Sequence, residues 1–319
     1  MTSPASSAGR TLYGQIAIVA LLGILAAAMP WVASSYAMTL VYYMAYYLML
    51  GQAWNLMSGF TGYVSFAHGA LAGIGAYTAT IVLNHDVPVA AALLCSALAP
   101  MLASLVIGIT SVRLRGIAFT FATLFFQELA LLVFRKLPFA GGPGGLVLQQ
   151  IFPTWLPHLL MVILAASATI GVLLLRRSRL GIRLLAIKGD ESAAAAVGID
   201  ATRLKLVLFC ISAGIAGLGG GIHAIFASSL YPDVVFSVDL SLIALAVPLI
   251  GGVATGMGPL VGAALYVGLR EILQIVAPGL HLVIVGLLIL LVVLYLRDGV
   301  APAVARILRQ RLARSGRPS

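Results

Sequence analysis

Polar side chains are scarce enough in this chain that each one inside an apolar run is a candidate for chemistry. Glu128 lies past the middle of one run, seven residues before Arg135. Arg270 and Glu271 share another, Asp239 opens a third, and His68 and His223 lie in or beside apolar segments. An ionisable group at membrane depth is costly and marks either a solute path or a paired structural contact. For the histidines, hydrogen bonding between helices is the plainer use; for Glu128 both uses stay open. Hydrolytic and redox machinery find no support, because no nucleophile has a base at useful spacing and no carboxylate pair or metal-ligand cluster occurs. Cys95 and Cys210 sit singly in apolar stretches and read as small buried side chains. No G-x-x-x-x-G-K-[ST] loop is present, so nucleotide phosphates are not cradled by that route. Gly217-Leu-Gly-Gly-Gly221 lies in an apolar run and reads as a helix-packing surface, like Gly69/Gly73 and Gly258/Gly262.

The longest polar segment, residues 176–205, is strongly basic. Within it, Asp190-Glu-Ser-Ala-Ala-Ala-Ala-Val-Gly198 predicts a short helix. Its acids sit at the start, where the helix dipole favours them, its alanines give propensity and a small-residue face, and Gly198 suits its end. Such a helix can lie in a groove of a partner; it can equally be a solvated connection.

These residues must be positioned by membrane-spanning helices. Only 9% of the 319 residues are charged and 61% are hydrophobic, against about 25% charged in soluble domains. Apolar runs long enough to span predict an all-α polytopic protein of about ten helices, at 12–31, 36–58, 62–83, 89–110, 116–134, 155–175, 204–228, 238–254, 259–277 and 280–296. Gly59 to Gly62 and Gly251 to Gly258 are expected breaks or re-entrant turns, and irregular backbone at that depth must line a cavity or be satisfied by protein. The first run is too long for a signal peptide and is read as a retained helix. With a cytoplasmic amino terminus, every Lys and Arg falls on the inner side except Arg135, Lys136 and Arg270, which puts both termini inside. This distribution, and not nucleic-acid binding, accounts for the formal charge of +10. A faint parallel repeat relates His68 to Tyr77 with Gly258 to Tyr266.

Several phrases together resemble one family. Glu191-Ser-Ala-Ala-Ala-Ala-Val-Gly198 resembles the E-A-A-x-x-x-G motif of ABC importer permeases, with Ser192 for the first alanine. Its lead-in, Ser178 to Lys188, is similar to that of the M-type permeases of branched-chain amino acid importers. Gly62-Tyr-Val-Ser-Phe-Ala-His-Gly-Ala70 with Gly73 to Tyr77, and Arg113-Leu-Arg-Gly-Ile-Ala-Phe119 with Ala122-Thr-Leu and Glu128, resemble further family blocks in order. Gly141-Gly-Pro-Gly-Gly-Leu146 resembles T-G-G-x-x-G-L with Ala140 in place of threonine. Gly251 to Gly262 resembles G-G-x-G-S-x-x-G-P-x-x-G with Ala254-Thr255 as the central pair.

The resemblance implies a permease subunit that moves branched-chain or related amino acids inward by alternating access in a bacterial inner membrane. It implies two separate ATPase subunits that use the ATP, a second related permease and an extracytoplasmic binding protein as partners. No cofactor or metal is expected on this chain. Asp190, Glu191, Ser192, Ala193, Ala194 and Gly198 become the expected ATPase-coupling residues. Ser65, His68, Glu128, Gly141, Gly142, Gly145, Gly251 and Gly252 become candidates for the translocation pathway. The expected organisation is a cytoplasmic tail over 1–11, a permease domain over 12–297 with coupling loop 176–205, and a basic tail over 298–319 on the inner leaflet side. Urea, amides, aromatic acids or sugars remain alternative cargoes, and a self-sufficient secondary transporter or channel is the alternative of another class.

Overall fold

A computed structural model describes residues 4–114, 116–276 and 286–287. Nine of the ten expected segments contain a helix; the tenth, 280–296, and the basic tail lie outside the described residues except for 286–287. The long helices are α1 (Pro4–Val32), α2 (Ser35–Trp54), α3 (His68–Leu83), α4 (Val89–Ser111), α5 (Ile117–Lys136) and α6 (Trp155–Arg177). Two short helices, α7 (Arg179–Gly189) and α8 (Glu191–Ala196), lead to α9 (Ala201–Ala227), α10 (Pro232–Val235), α11 (Val238–Gly251) and α12 (Gly258–Val276). By length and hydropathy seven stretches among the described residues can cross a bilayer: α1, α4, α5, α6, α9, α10–α11 together and α12. The chain is thus an all-α polytopic membrane protein.

The interior is built on small residues. α3 lies against α9 so closely that a side chain on Gly75 would strike the backbone of Gly217, and one on Gly220 would strike Ala72. Without Cβ atoms the backbones meet directly, which replaces the hydrophobic driving force that helices lack in lipid. Around this pair sit Tyr42, Met49, Leu50, Met57, Phe119 and Phe209, all buried. α2 threads the centre and packs on α6, α9, α11 and α12.

The two expected breaks are real, and both shorten the segments around them. α2 ends in a π-turn, Asn55–Gly59, and residues 62–67 run without helix before α3 begins at His68. Side chains satisfy this irregular backbone. Trp54 donates to Ser65 O (2.8 Å), Thr120 to Val64 O (3.0 Å), and the Phe66 N–H to Thr123 (3.0 Å). α11 likewise stops at Gly251, three residues earlier than the apolar run. The turn to α12 is clamped by α2: Asn55 accepts from the Ala254 N–H (2.8 Å) and donates to Thr255 O (2.9 Å), and Gln52 donates to Gly256 O (2.7 Å). Thr255 Oγ1 accepts from the Gly258 N–H at 3.0 Å and so caps α12.

Ala254 takes φ +57° in that turn, a left-handed conformation that suits glycine. Ala254→Val is expected to destabilise the fold by about 2 kcal/mol or more, since a β-branched residue tolerates this region poorly. Ala254→Gly should stay within about 1 kcal/mol of wild type, because relief of strain is offset by a more flexible unfolded chain. Thermal unfolding of the three proteins in one detergent checks this order.

Loops 84–88 and 137–154 and the segment 228–237 gather at the bundle end opposite α7–α8. There Leu146–Val147 pairs antiparallel with Ser229–Leu230, and Asn84 accepts from the Gln149 N–H and donates to Val147 O, both at 3.0 Å.

Candidate functional site

The α7–α8 elbow is assembled from local signals. Ser178 caps α7 by accepting from the Gly181 N–H (3.1 Å), and Gly181, Leu184 and Ile187 form its buried stripe. Asp190 starts α8 by accepting from the N–H groups of Ser192 (2.8 Å) and Ala193 (3.1 Å) and from the Ser192 hydroxyl (2.6 Å). The Ser192 hydroxyl, then those backbone groups, hold the Asp190 carboxyl below its ordinary range, so it stays charged at the helix start. Gly198, at φ +82°, ends the turn as the alanine-rich phrase predicts. Asp200 caps α9, which begins at Ala201, three residues before its expected start. Of α8 only Ala194 is buried; Ser192, Ala193, Ala195, Ala196, Val197 and Gly198 face outward.

Glu191 does not share that outward face. Its Oε1 accepts from Lys205 Nζ at 2.9 Å, and its Oε2 accepts from the Tyr63 hydroxyl. The Lys205 side chain is 1% exposed, with its ammonium 4.0 Å from the centre of the Tyr63 ring. A buried ammonium thus has a carboxylate on one side and an aromatic face on another. Lys188 adds a second tie, donating to Gly59 O at 2.9 Å; burial lowers its pKa. The elbow is therefore bolted to α9 and to the broken segment 59–63, which is the structure that leads into α3.

The pathway candidates occupy several places. Ser65 and His68 are fully buried: Ser65 Oγ accepts from the Ala67 N–H (3.2 Å), and His68 Nε2 lies 3.3 Å from Ser212 Oγ. Gly251 and Gly252 line the clamped turn, where a side chain on Gly251 would meet Gly258 O. Gly141, Gly142 and Gly145 form a tight turn at the opposite end, with left-handed φ at all three. Ala140 beside them is buried in an apolar cluster with Tyr77, Leu230 and Phe236, so no hydroxyl is needed there. Glu128 is exposed on α5, whereas Ser65 and His68 are buried.

Three of the other contacts involve ionisable residues: Arg135 pairs with Asp233, Arg270 donates to the Tyr47 hydroxyl (2.7 Å), and Glu271 accepts from Tyr36. His223 Nδ1 lies 3.2 Å from the Tyr42 hydroxyl, the interhelix hydrogen bonding expected of it, and its ring stacks on Tyr46 with centres 4.4 Å apart. Among the described residues no group of three His, Cys, Asp or Glu is placed to hold a metal.

Four organising residues escaped the sequence reading. Gln52 and Asn55 clamp the second break; a signal existed, since two amides spaced i, i+3 in an apolar run demand partners. Gln127, overshadowed by its charged neighbour, is a buried hub: Oε1 accepts from the Ala70 N–H (2.5 Å) and Ser241 Oγ (3.0 Å), and Nε2 donates to Phe236 O (2.6 Å). In the sequence Lys205 reads only as an orienting charge.

Residues 35–293 match the family model described as branched-chain amino acid transport system / permease component. Two curated relatives, both named high-affinity branched-chain amino acid transport system permease protein LivM, come from Salmonella typhimurium LT2 and Escherichia coli K12. Each is 27% identical over 323 aligned positions, which cover 89% of this chain and 74% of theirs. A third, the inner membrane ABC transporter permease protein YjfF of Escherichia coli K12, is 32% identical over 108 positions, 33% of either chain. No solved structure matches.

Proposed function

Because the chain belongs to the permease-component family of branched-chain amino acid transport systems, we propose that it is the membrane subunit of an ATP-driven importer for branched-chain or related amino acids. Its partners in this reading are two ATPase subunits, a second related permease and an extracytoplasmic binding protein. The chain lies in a bacterial inner membrane with both termini cytoplasmic, and ATP is used by the partners alone. The carrying observation is α8: a capped helix with an outward alanine face, set on an elbow tied to the bundle through Glu191 and Lys188.

In the transport cycle the outward face seats in a groove of the ATPase, where small side chains permit close backbone approach. ATP-driven movement of that groove displaces α8. The Glu191–Lys205–Tyr63 contact then carries the displacement to α9 and to the segment before α3, and Lys188 carries it to the π-turn. The π-turn holds the 252–257 turn through Asn55, so both broken regions receive the motion. Ser65, His68, Gly251 and Gly252 act in this reading as shape-holding residues beside the path.

The test is co-purification with candidate ATPase subunits. Val197, 75% exposed at the end of the α8 face, is expected to lose about tenfold or more of ATPase capture as Val197→Asp, the factor that corresponds to about 1.4 kcal/mol. Membrane insertion should be unchanged. Failure of the wild-type chain to capture any ATPase, with solute uptake by the chain alone in proteoliposomes, would falsify the importer reading.

A further inference from the structure

Glu128 stands twelve residues into the 20-residue α5, well inside the span. Its outward aim is fixed by its neighbour. Gln127 holds groups of α3, α11 and the segment before α11 through three hydrogen bonds, so α5 cannot rotate about its axis. Adjacent residues on a helix lie about 100° apart, which puts Glu128 on the outer surface. Beside it on the same face are Phe121, Phe125 and Leu132, 53%, 69% and 53% exposed. Among the described residues no cationic side chain forms an ion pair with Glu128.

A carboxylate on an apolar stripe at this depth is too costly to leave against hydrocarbon. The stripe therefore faces water, a ligand or a partner subunit. One anionic group among two phenylalanines and a leucine complements a molecule with one ammonium group and an aliphatic body. Resting on the importer reading, we infer that Glu128 is a substrate contact: its carboxylate receives the ammonium of the amino acid in transit, and Phe121, Phe125 and Leu132 carry the aliphatic side chain. This separates roles within the polar pair of α5, with Gln127 positioning and Glu128 binding.

The experiment uses the complete importer, with ATPases, both permeases and binding protein, in proteoliposomes. Glu128→Gln should lower leucine uptake about tenfold or more, by the same scale as above, and Glu128→Asp should recover part of it, while ATPase capture stays at the wild-type level. In parallel, Glu128→Cys on a background with Cys95 and Cys210 replaced by alanine is treated with a membrane-impermeant cationic thiol reagent. Labelling that excess leucine slows is the expected result. Wild-type uptake by Glu128→Gln overturns the inference. So does a Cys at 128 that reacts only with lipid-soluble reagents, or one that crosslinks to a basic residue of the second permease regardless of leucine. Labelling is read independently of ATPase capture, so failure of this contact and failure of the importer reading give different results.

Discussion

Glu191→Gln is expected to retain ATPase capture and to lose about tenfold or more of ATP-driven uptake. The carboxylate points into the bundle and away from the partner-facing surface, so docking does not need it. What it supports is Lys205, whose side chain is 1% exposed. Removing one member of a buried ion pair costs about 3–5 kcal/mol when the other is left enclosed. Glu191 is itself 22% exposed, and the Tyr63 ring still faces the ammonium, so about 2 kcal/mol is the better expectation here. That loosens α8 from α9 without altering its outer face. Lys205→Met should uncouple as well with a smaller loss of stability, because a half-open carboxylate can turn to water. The exchanged pair, Glu191→Lys with Lys205→Glu, should regain part of the coupling. Measuring capture, hydrolysis stimulated by loaded binding protein, and uptake on the same preparations separates a latch from a docking contact. Loss of capture in Glu191→Gln would sink the latch.

Gln127→Leu should produce the largest loss of stability of any single change considered. The replacement strands the Ala70 N–H and the Phe236 carbonyl, whose partner atoms lie at 2.5 and 2.6 Å, and removes one of two acceptors of the Ser241 hydroxyl. Each buried group left unpaired costs about 1–3 kcal/mol. A total of roughly 3 kcal/mol is expected after partial rearrangement, since Ser241 keeps its bond to Phe66 O (2.6 Å). Glu128→Gln, one residue on, should leave the melting temperature unchanged. Unfolding of the two variants in the same detergent gives the contrast. Equal melting temperatures would show that α5 is not pinned through Gln127.

The local features were legible because their causes are local. Apolar runs placed nine helices, and the Asp190 cap, the alanine run and Gly198 placed α8 and its end. Glycine-rich phrases located both breaks. What the sequence could not reveal were partners distant along the chain. Glu191 looked like an outward motif residue until Tyr63 and Lys205, 128 and 14 positions away, were seen around it. Glu128 drew attention because it is charged, whereas Gln127 does more of the structural work through contacts 57 to 114 positions away. Polar residues in an apolar span announce that partners exist, and only the fold says which.

The weak attachment of α1 bears on how the protein is made. Only 6% of its spanning stretch is buried, and its main neighbour is α6, where His158 Nε2 donates to Ala26 O at 2.8 Å. Translation proceeds at about 5–20 residues per second, so α6 follows α1 by on the order of ten seconds. During that interval α1 must persist as a solitary helix in lipid, with only α2 beside it. Its nearly uninterrupted apolar surface lets it wait there until α6 is made. Biogenesis thus needs little contact from α1 before α6 is made.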